Sequence, residues 1–93
     1  MKNSILNNEN INKTTHNLTQ REIEYLALVA LGLSNNKIAE KLFVTTSTVK
    51  KTLENIFRKL NAHDRANAVA LAIFYDFLNA KIIIDVKNNL KIF

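Results

Sequence analysis

The chain has 93 residues, an apolar fraction of 47%, one glycine, no proline, no cysteine and a formal net charge of +5. This length suits a single domain with too much aliphatic content for wholesale disorder, and the lack of cysteine excludes a disulfide framework, a thiolate nucleophile and a thiolate zinc site. No apolar run approaches the ~20 residues of a membrane span, so a soluble, cytoplasmic chain is expected, and its cationic excess favours polyanions such as nucleic acid or an anionic membrane surface without choosing between them.

Residues 1–17 hold six Asn and sustain no hydrophobic period, which predicts a flexible N-terminal arm. His16 and His63 are the chain's two histidines, and neither has a metal-ligating neighbour in sequence, so no metal site is expected. The first helix is announced by Thr19 and Glu22 at capping-box spacing, with Leu18 and Ile23 placed as a hydrophobic staple. Ile23, Leu26, Ala27 and Ala30 supply its inward stripe. Gly32 follows as a left-handed stop from which Leu33 can fold back on Leu28. Ser34 then caps a short second helix, Asn35 to Leu42, with Ile38, Ala39 and Leu42 inward. Its first turn, Ser34, Asn35, Asn36 and Lys37, offers free N–H groups and a cation suited to a phosphate.

Thr45 caps the stretch that dominates the chain, residues 46 to 60. Val49, Leu53, Ile56, Phe57 and Leu60 fall on one helical face. Ser47, Lys51, Glu54, Asn55 and Arg58 point the other way, Thr48, Lys50 and Lys59 flank them, and Thr46 opens the helix. Side chains of this length and polarity reach phosphates and base edges in a major groove. Taken alone, such a face is more often simply solvated. The short turn at Phe43 and Val44, however, joins it to the second helix as a helix-turn-helix unit.

Asp64 is the expected cap of a fourth helix reaching about Leu78. Ala66, Val69, Ala70, Ile73, Phe74 and Phe77 form one apolar stripe, while Ala68, Leu71, Ala72, Tyr75 and Leu78 form a second. A small core cannot cover both, so the second stripe is the candidate dimer interface, unless the chain's own tail covers it. That tail, residues 80–93, is rich in β-branched residues and carries Asn88-Asn89. It either returns as a β-hairpin or continues as helix. The expected architecture is all-α: a four-helix bundle-like domain over 18–79, preceded by the arm and followed by the extension.

The combination Leu18-Thr19, Arg21-Glu22, Leu28-Val29-Ala30, Gly32, Ser34-Asn35, Lys37-Ile38-Ala39, Thr48-Val49-Lys50 and Lys59-Leu60 closely resembles the LuxR-type, GerE-like helix-turn-helix domain of bacterial transcription regulators, over Leu18 to about Ala72. The resemblance implies that the third helix enters the major groove and the fourth makes a dimer contact. It assigns Lys50, Lys51 and Glu54 to bases, and Thr48, Lys59 and the start of the second helix to the DNA backbone. The helical periodicity agrees for Lys51 and Glu54 and places Lys50 nearer the flank. Three departures stand out. Thr52 replaces a frequent His, Asn61 replaces the usual Gly after the third helix, and the extension lies outside the common module. Many relatives carry a sensing domain ahead of this module, so the chain reads either as a stand-alone regulator or as the output part of a longer protein.

The leading expectation is therefore a sequence-specific, homodimeric regulator of double-stranded DNA, without a cofactor, that works with RNA polymerase or a larger regulator. The alternative is a protein-interaction module that caps or titrates a larger regulator through helix 65–78 and the tail. An enzyme is not expected, because clustered carboxylates, a nucleophile near a histidine and a glycine-rich phosphate loop are all missing from the sequence.

Overall fold

The computed structural model describes residues 17–92, so the arm expected over 1–17 lies almost wholly outside the described residues. Among the described residues five helices follow one another: α1 Gln20–Ala30, α2 Asn35–Leu42, α3 Thr46–Leu60, α4 Arg65–Phe74 and α5 Ala80–Asn89. No strand occurs among the described residues, and the hairpin considered for the tail is replaced by α5.

Each helix starts on a residue whose short side chain accepts from the third helical N–H: Thr19, Ser34, Thr45, Asp64 and Asn79. Thr19 and Glu22 complete the reciprocal capping box, with Glu22 N–H to Thr19 Oγ1 at 3.1 Å and Thr19 N–H to Glu22 Oε1 at 2.9 Å. Asp64 has a similar exchange with Asn67, which in turn accepts from the N–H of His63 at 2.8 Å. A capping role therefore accounts for the Asp beside His63.

The five helices also stop alike. In each, a residue in the left-handed region lets the following N–H reach back to a carbonyl in the last turn, as in Leu33 N–H to Leu28 O at 3.1 Å and Ala62 N–H to Phe57 O at 2.8 Å. Only one of these positions is glycine, Gly32 at φ +90°; the others are Phe43, Asn61, Asp76 and Lys91. Asn61 thus occupies the position where the family resemblance leads one to expect glycine, at φ +58°.

The core runs through Leu26, Leu28, Ile38, Val49, Ile56, Leu60 and Leu78, all fully buried. α3 packs on α2, while α4 lies against both α1 and α3. α5 packs on α1. As a result α1 buries five successive residues, Tyr25 to Val29, instead of a single stripe, and Ala30, expected inward, is exposed. The reason is geometric: a helix that packs on α3, α4 and α5 has little outer face left.

This arrangement inverts the expectation for the fourth helix. Ala68, Ala72 and Leu78 are buried in the core, and Leu71 and Tyr75 pack against it. Most of the other stripe is outward: Ala66 and Ala70 are exposed, Ile73 is 51% exposed and Phe74 76%, while Val69 and Phe77 are half-buried against the core. α4 is also shorter than expected, because Asp76 at φ +67° ends it and Phe77 N–H closes onto Ala72 O at 2.8 Å. The extension does cover apolar surface, as Val86 is buried and Ile82, Ile83, Leu90 and Ile92 pack on the core, but the surface it covers belongs to α1.

Candidate nucleic-acid interface

The interface is built from the N-termini of α2 and α3. The buried stripe of α3, Val49, Leu53, Ile56 and Leu60, fixes the rotation of the helix about its axis. That rotation leaves Thr46, Ser47, Thr48, Lys50, Lys51, Glu54, Asn55 and Arg58 exposed together. Phe57 is half-buried at the margin of the stripe. Thr45 N-caps the helix by accepting from Thr48 N–H at 3.1 Å and also donates its hydroxyl to Thr48 Oγ1 at 2.9 Å.

α2 is anchored beside it. Thr46 Oγ1 donates to Asn36 Oδ1 at 3.0 Å, which ties the first turn of α3 to the first turn of α2. Ser34 caps α2 from Lys37 N–H at 3.2 Å. The N–H groups of Asn35 and Asn36, at the start of the helix, have no intrahelical acceptor. The two helix starts and their positive dipole ends therefore lie side by side on one surface.

Side-chain partners sort the candidate residues. Among the described residues Lys50, Lys51 and Glu54 make no hydrogen bond or ion pair, so their polar ends are available to a ligand. Three asparagines, by contrast, have their carbonyl oxygens engaged: Asn35 Oδ1 accepts from Arg65 at 2.7 Å, Asn36 Oδ1 from Thr46, and Asn55 Oδ1 from Arg58 at 2.7 Å. In each case the amide NH2 is left to donate, which suits an acceptor-rich partner such as a phosphate. Lys37 contacts Glu40 at 3.4 Å, with both side chains about two-thirds exposed, a pair that is weak in water.

Lys59 stands apart from the others. Its ammonium lies 2.9 and 3.0 Å from the two carboxylate oxygens of Glu22, joining the end of α3 to the start of α1. Burial pushes the Glu22 carboxyl up, but the Thr19 N–H and the Lys59 ammonium outweigh it, and the group is held below its ordinary value. Lys59 therefore has a partner inside the domain, unlike Lys50 and Lys51.

Arg65 is a residue that sequence reasoning missed. From the first position of α4 its guanidinium donates to Asn35 Oδ1 and to Leu33 O, both at 2.7 Å. It fixes the turn between α1 and α2 and orients Asn35. The available signal was a lone cation opening an otherwise apolar helix. Lys41 was missed as well; it lies on α2 one turn beyond Lys37, half-buried.

Comparison with known proteins agrees with this geometry. The family described as bacterial regulatory proteins, luxR family, matches residues 16–72, more than half of the chain. Its relatives include the transcriptional regulatory protein YxjL of Bacillus subtilis, 54% identical over 55 residues that make up 59% of this chain and 25% of that protein. The transcriptional regulatory protein LnrK of Bacillus subtilis is 48% identical over 58 residues, covering 62% of this chain and 26% of LnrK. A nitrate/nitrite response regulator protein homolog of Haemophilus influenzae is 41% identical over 71 residues, or 76% of this chain and 34% of its own length. The chain thus spans about a quarter to a third of the length of these relatives. No solved structure is a significant match to it. The capping, the two adjoined helix starts and the matched segment all fall within the same stretch, and the chain belongs to the luxR family of bacterial regulatory proteins.

Proposed function

We propose that the chain is a sequence-specific, DNA-binding transcription regulator that acts as a dimer in the cytoplasm. The observation that carries the reading is the pairing of the α2 and α3 starts on one surface, with uncommitted donors on both and unpaired Lys50, Lys51 and Glu54 on the outer face of α3. In this reading α3 lies in the major groove. Lys50 and Lys51 donate to purine acceptors, Glu54 accepts from cytosine N4, and Ser34, Asn35, Asn36, Lys37, Thr46, Ser47, Thr48, Asn55 and Arg58 hold the flanking phosphates. Lys59 is assigned to stabilising the domain through Glu22.

Dimerisation is assigned to the outer face of α4, where exposed Ile73 and Phe74 form the apolar surface, and not to the stripe of Ala68, Leu71, Ala72, Tyr75 and Leu78. Two subunits related by a two-fold axis would place two copies of α3 on half-sites about one DNA turn apart or a multiple of it. The test is selection of bound duplexes from a random-sequence pool at near-physiological salt. Recovery of a two-fold symmetric motif is expected. Salt-sensitive binding with no enriched motif would reduce the role of α3 to charge alone.

A further inference from the structure

The C-terminal segment, outside the stretch matched by the family, brings a third lysine to the start of α2. α5 ends in the left-handed closure in which Lys91 N–H bonds Asn88 O at 3.2 Å and Ile92 N–H bonds Lys87 O at 2.9 Å. This closure sets Lys91 at φ +55° and seats Ile92 against the core. Lys91 and Ile92 then line a cleft of about 410 Å³ together with Leu33, Ser34, Lys37 and Lys41. Among the described residues no carboxylate side chain lines the cleft. Glu40 is close to Lys37 alone, and among the described residues Lys41 and Lys91 have no acidic partner.

Three cations drawn from two distant parts of the chain, only one of which has an acidic partner among the described residues, a solvent-exposed one, form a local positive potential, which is strongest where an anion enters a concave surface. The cleft shares Ser34 and Lys37 with the α2 start, so it is continuous with the surface assigned to the DNA backbone. A free small anion would need convergent donors from a closed pocket. An open trough of lysines with long stems fits a chain of phosphates that runs past it.

We propose that this cleft receives the phosphodiester backbone of a DNA flank, so that Lys41 and Lys91 extend the binding surface beyond the helix-turn-helix. The assignment rests on the DNA-binding reading above, and it adds affinity without adding base preference. The extension then has two roles: it covers α1, and it carries a phosphate contact.

The test measures the salt dependence of affinity for wild type, Lys91→Asn, Lys41→Gln and, as a control outside the cleft, Lys87→Gln. Asparagine is chosen at position 91 because it is at home in the left-handed region. Two duplexes are used, one with long flanks and one trimmed to the central motif. On the long duplex Lys91→Asn and Lys41→Gln should each lower the slope of log K against log salt by about 0.9. On the trimmed duplex both should match wild type, Lys87→Gln should match it on both duplexes, and the preference for the selected motif over random DNA should be unchanged throughout.

A wild-type slope in Lys91→Asn and Lys41→Gln on the long duplex would overturn the proposal while leaving the DNA-binding reading intact. So would an equal loss in Lys87→Gln, or inorganic phosphate shifting the Lys41 and Lys91 resonances as strongly as the duplex does. Failure of wild type to bind any duplex would remove both readings together.

Discussion

Gly32 at φ +90° is the chain's one glycine at a helix stop, and a Cβ built there would meet nothing within 4 Å. Its requirement is conformational, not steric packing. Gly32→Val should therefore cost about 1 to 2 kcal/mol, read as a lower urea midpoint with an unchanged m-value. Phe43 poses the reverse case, since it holds φ +58° while 93% exposed, and so has strain without compensating burial. Phe43→Asn should raise stability by up to about 1 kcal/mol in the same assay. Glu22 couples residue chemistry to pH. Its folded carboxyl titrates below its ordinary value of 4.5, so the stabilisation is full above the unfolded value and is lost as pH falls through the folded one. Glu22→Gln should lose about 1 kcal/mol at neutral pH, and the gap to wild type should close under acid.

At the scale of the helix, α3 divides its labour by face. The buried stripe sets the rotation, and the outer residues are then presented together whatever their identity. Lys51→Ala and Glu54→Ala should accordingly leave the melting temperature nearly unchanged and relax base preference by about 1 to 3 kcal/mol per contact, measured as the affinity ratio between the selected motif and its single-base variants. Equal losses on all sequences would withdraw the base-reading assignment. α2 is too short to hold its position by its own propensity. Its N-cap Ser34, the Asn36–Thr46 bond and the Arg65 bridge from α4 hold it instead. An interface of this kind depends on rigid placement of donors, and here the placement comes from three different elements.

At the scale of the molecule, α1 is the hub, with α4 on one side and α5 on another. This turns the outer stripe of α4 toward solvent, with Ile73 and Phe74 as its apolar anchors. Phe74→Glu should shift a dimer to monomer in analytical ultracentrifugation, weaken binding to a two-fold symmetric duplex, and leave the circular dichroism spectrum unchanged, because the side chain contributes little to the monomer core. A dimer that persists in this variant would move the contact elsewhere.

The helices of the shared module were largely legible in the sequence because their signals are local. The caps Thr19, Ser34, Thr45 and Asp64, the stop at Gly32 and the apolar period of α3 each depend on residues within a few positions of one another. The exposed polar face of α3 followed from the same period. Phe43 and Lys91 gave no comparable warning of a left-handed stop, since those residue types do not favour it, and Asp76, of a type that tolerates it, stands inside an apolar run that reads as continuous helix. Long-range packing was equally silent. Both stripes of α4 satisfy helical periodicity, and only the docking of α1 and α3 decides that Ala68 and Ala72 go inside while Ile73 and Phe74 stay out. The β-branched run of the extension is likewise ambiguous by itself. The Asn79 cap and the apolar face of α1 let it bury Val86 as a helix, a choice fixed by a surface some sixty residues earlier in the chain. Local signals along the chain fix where the module's helices begin and which face of α3 is wet. Tertiary contact decides which apolar faces meet and which cations come together, because those depend on the relative placement of segments and not on their periods.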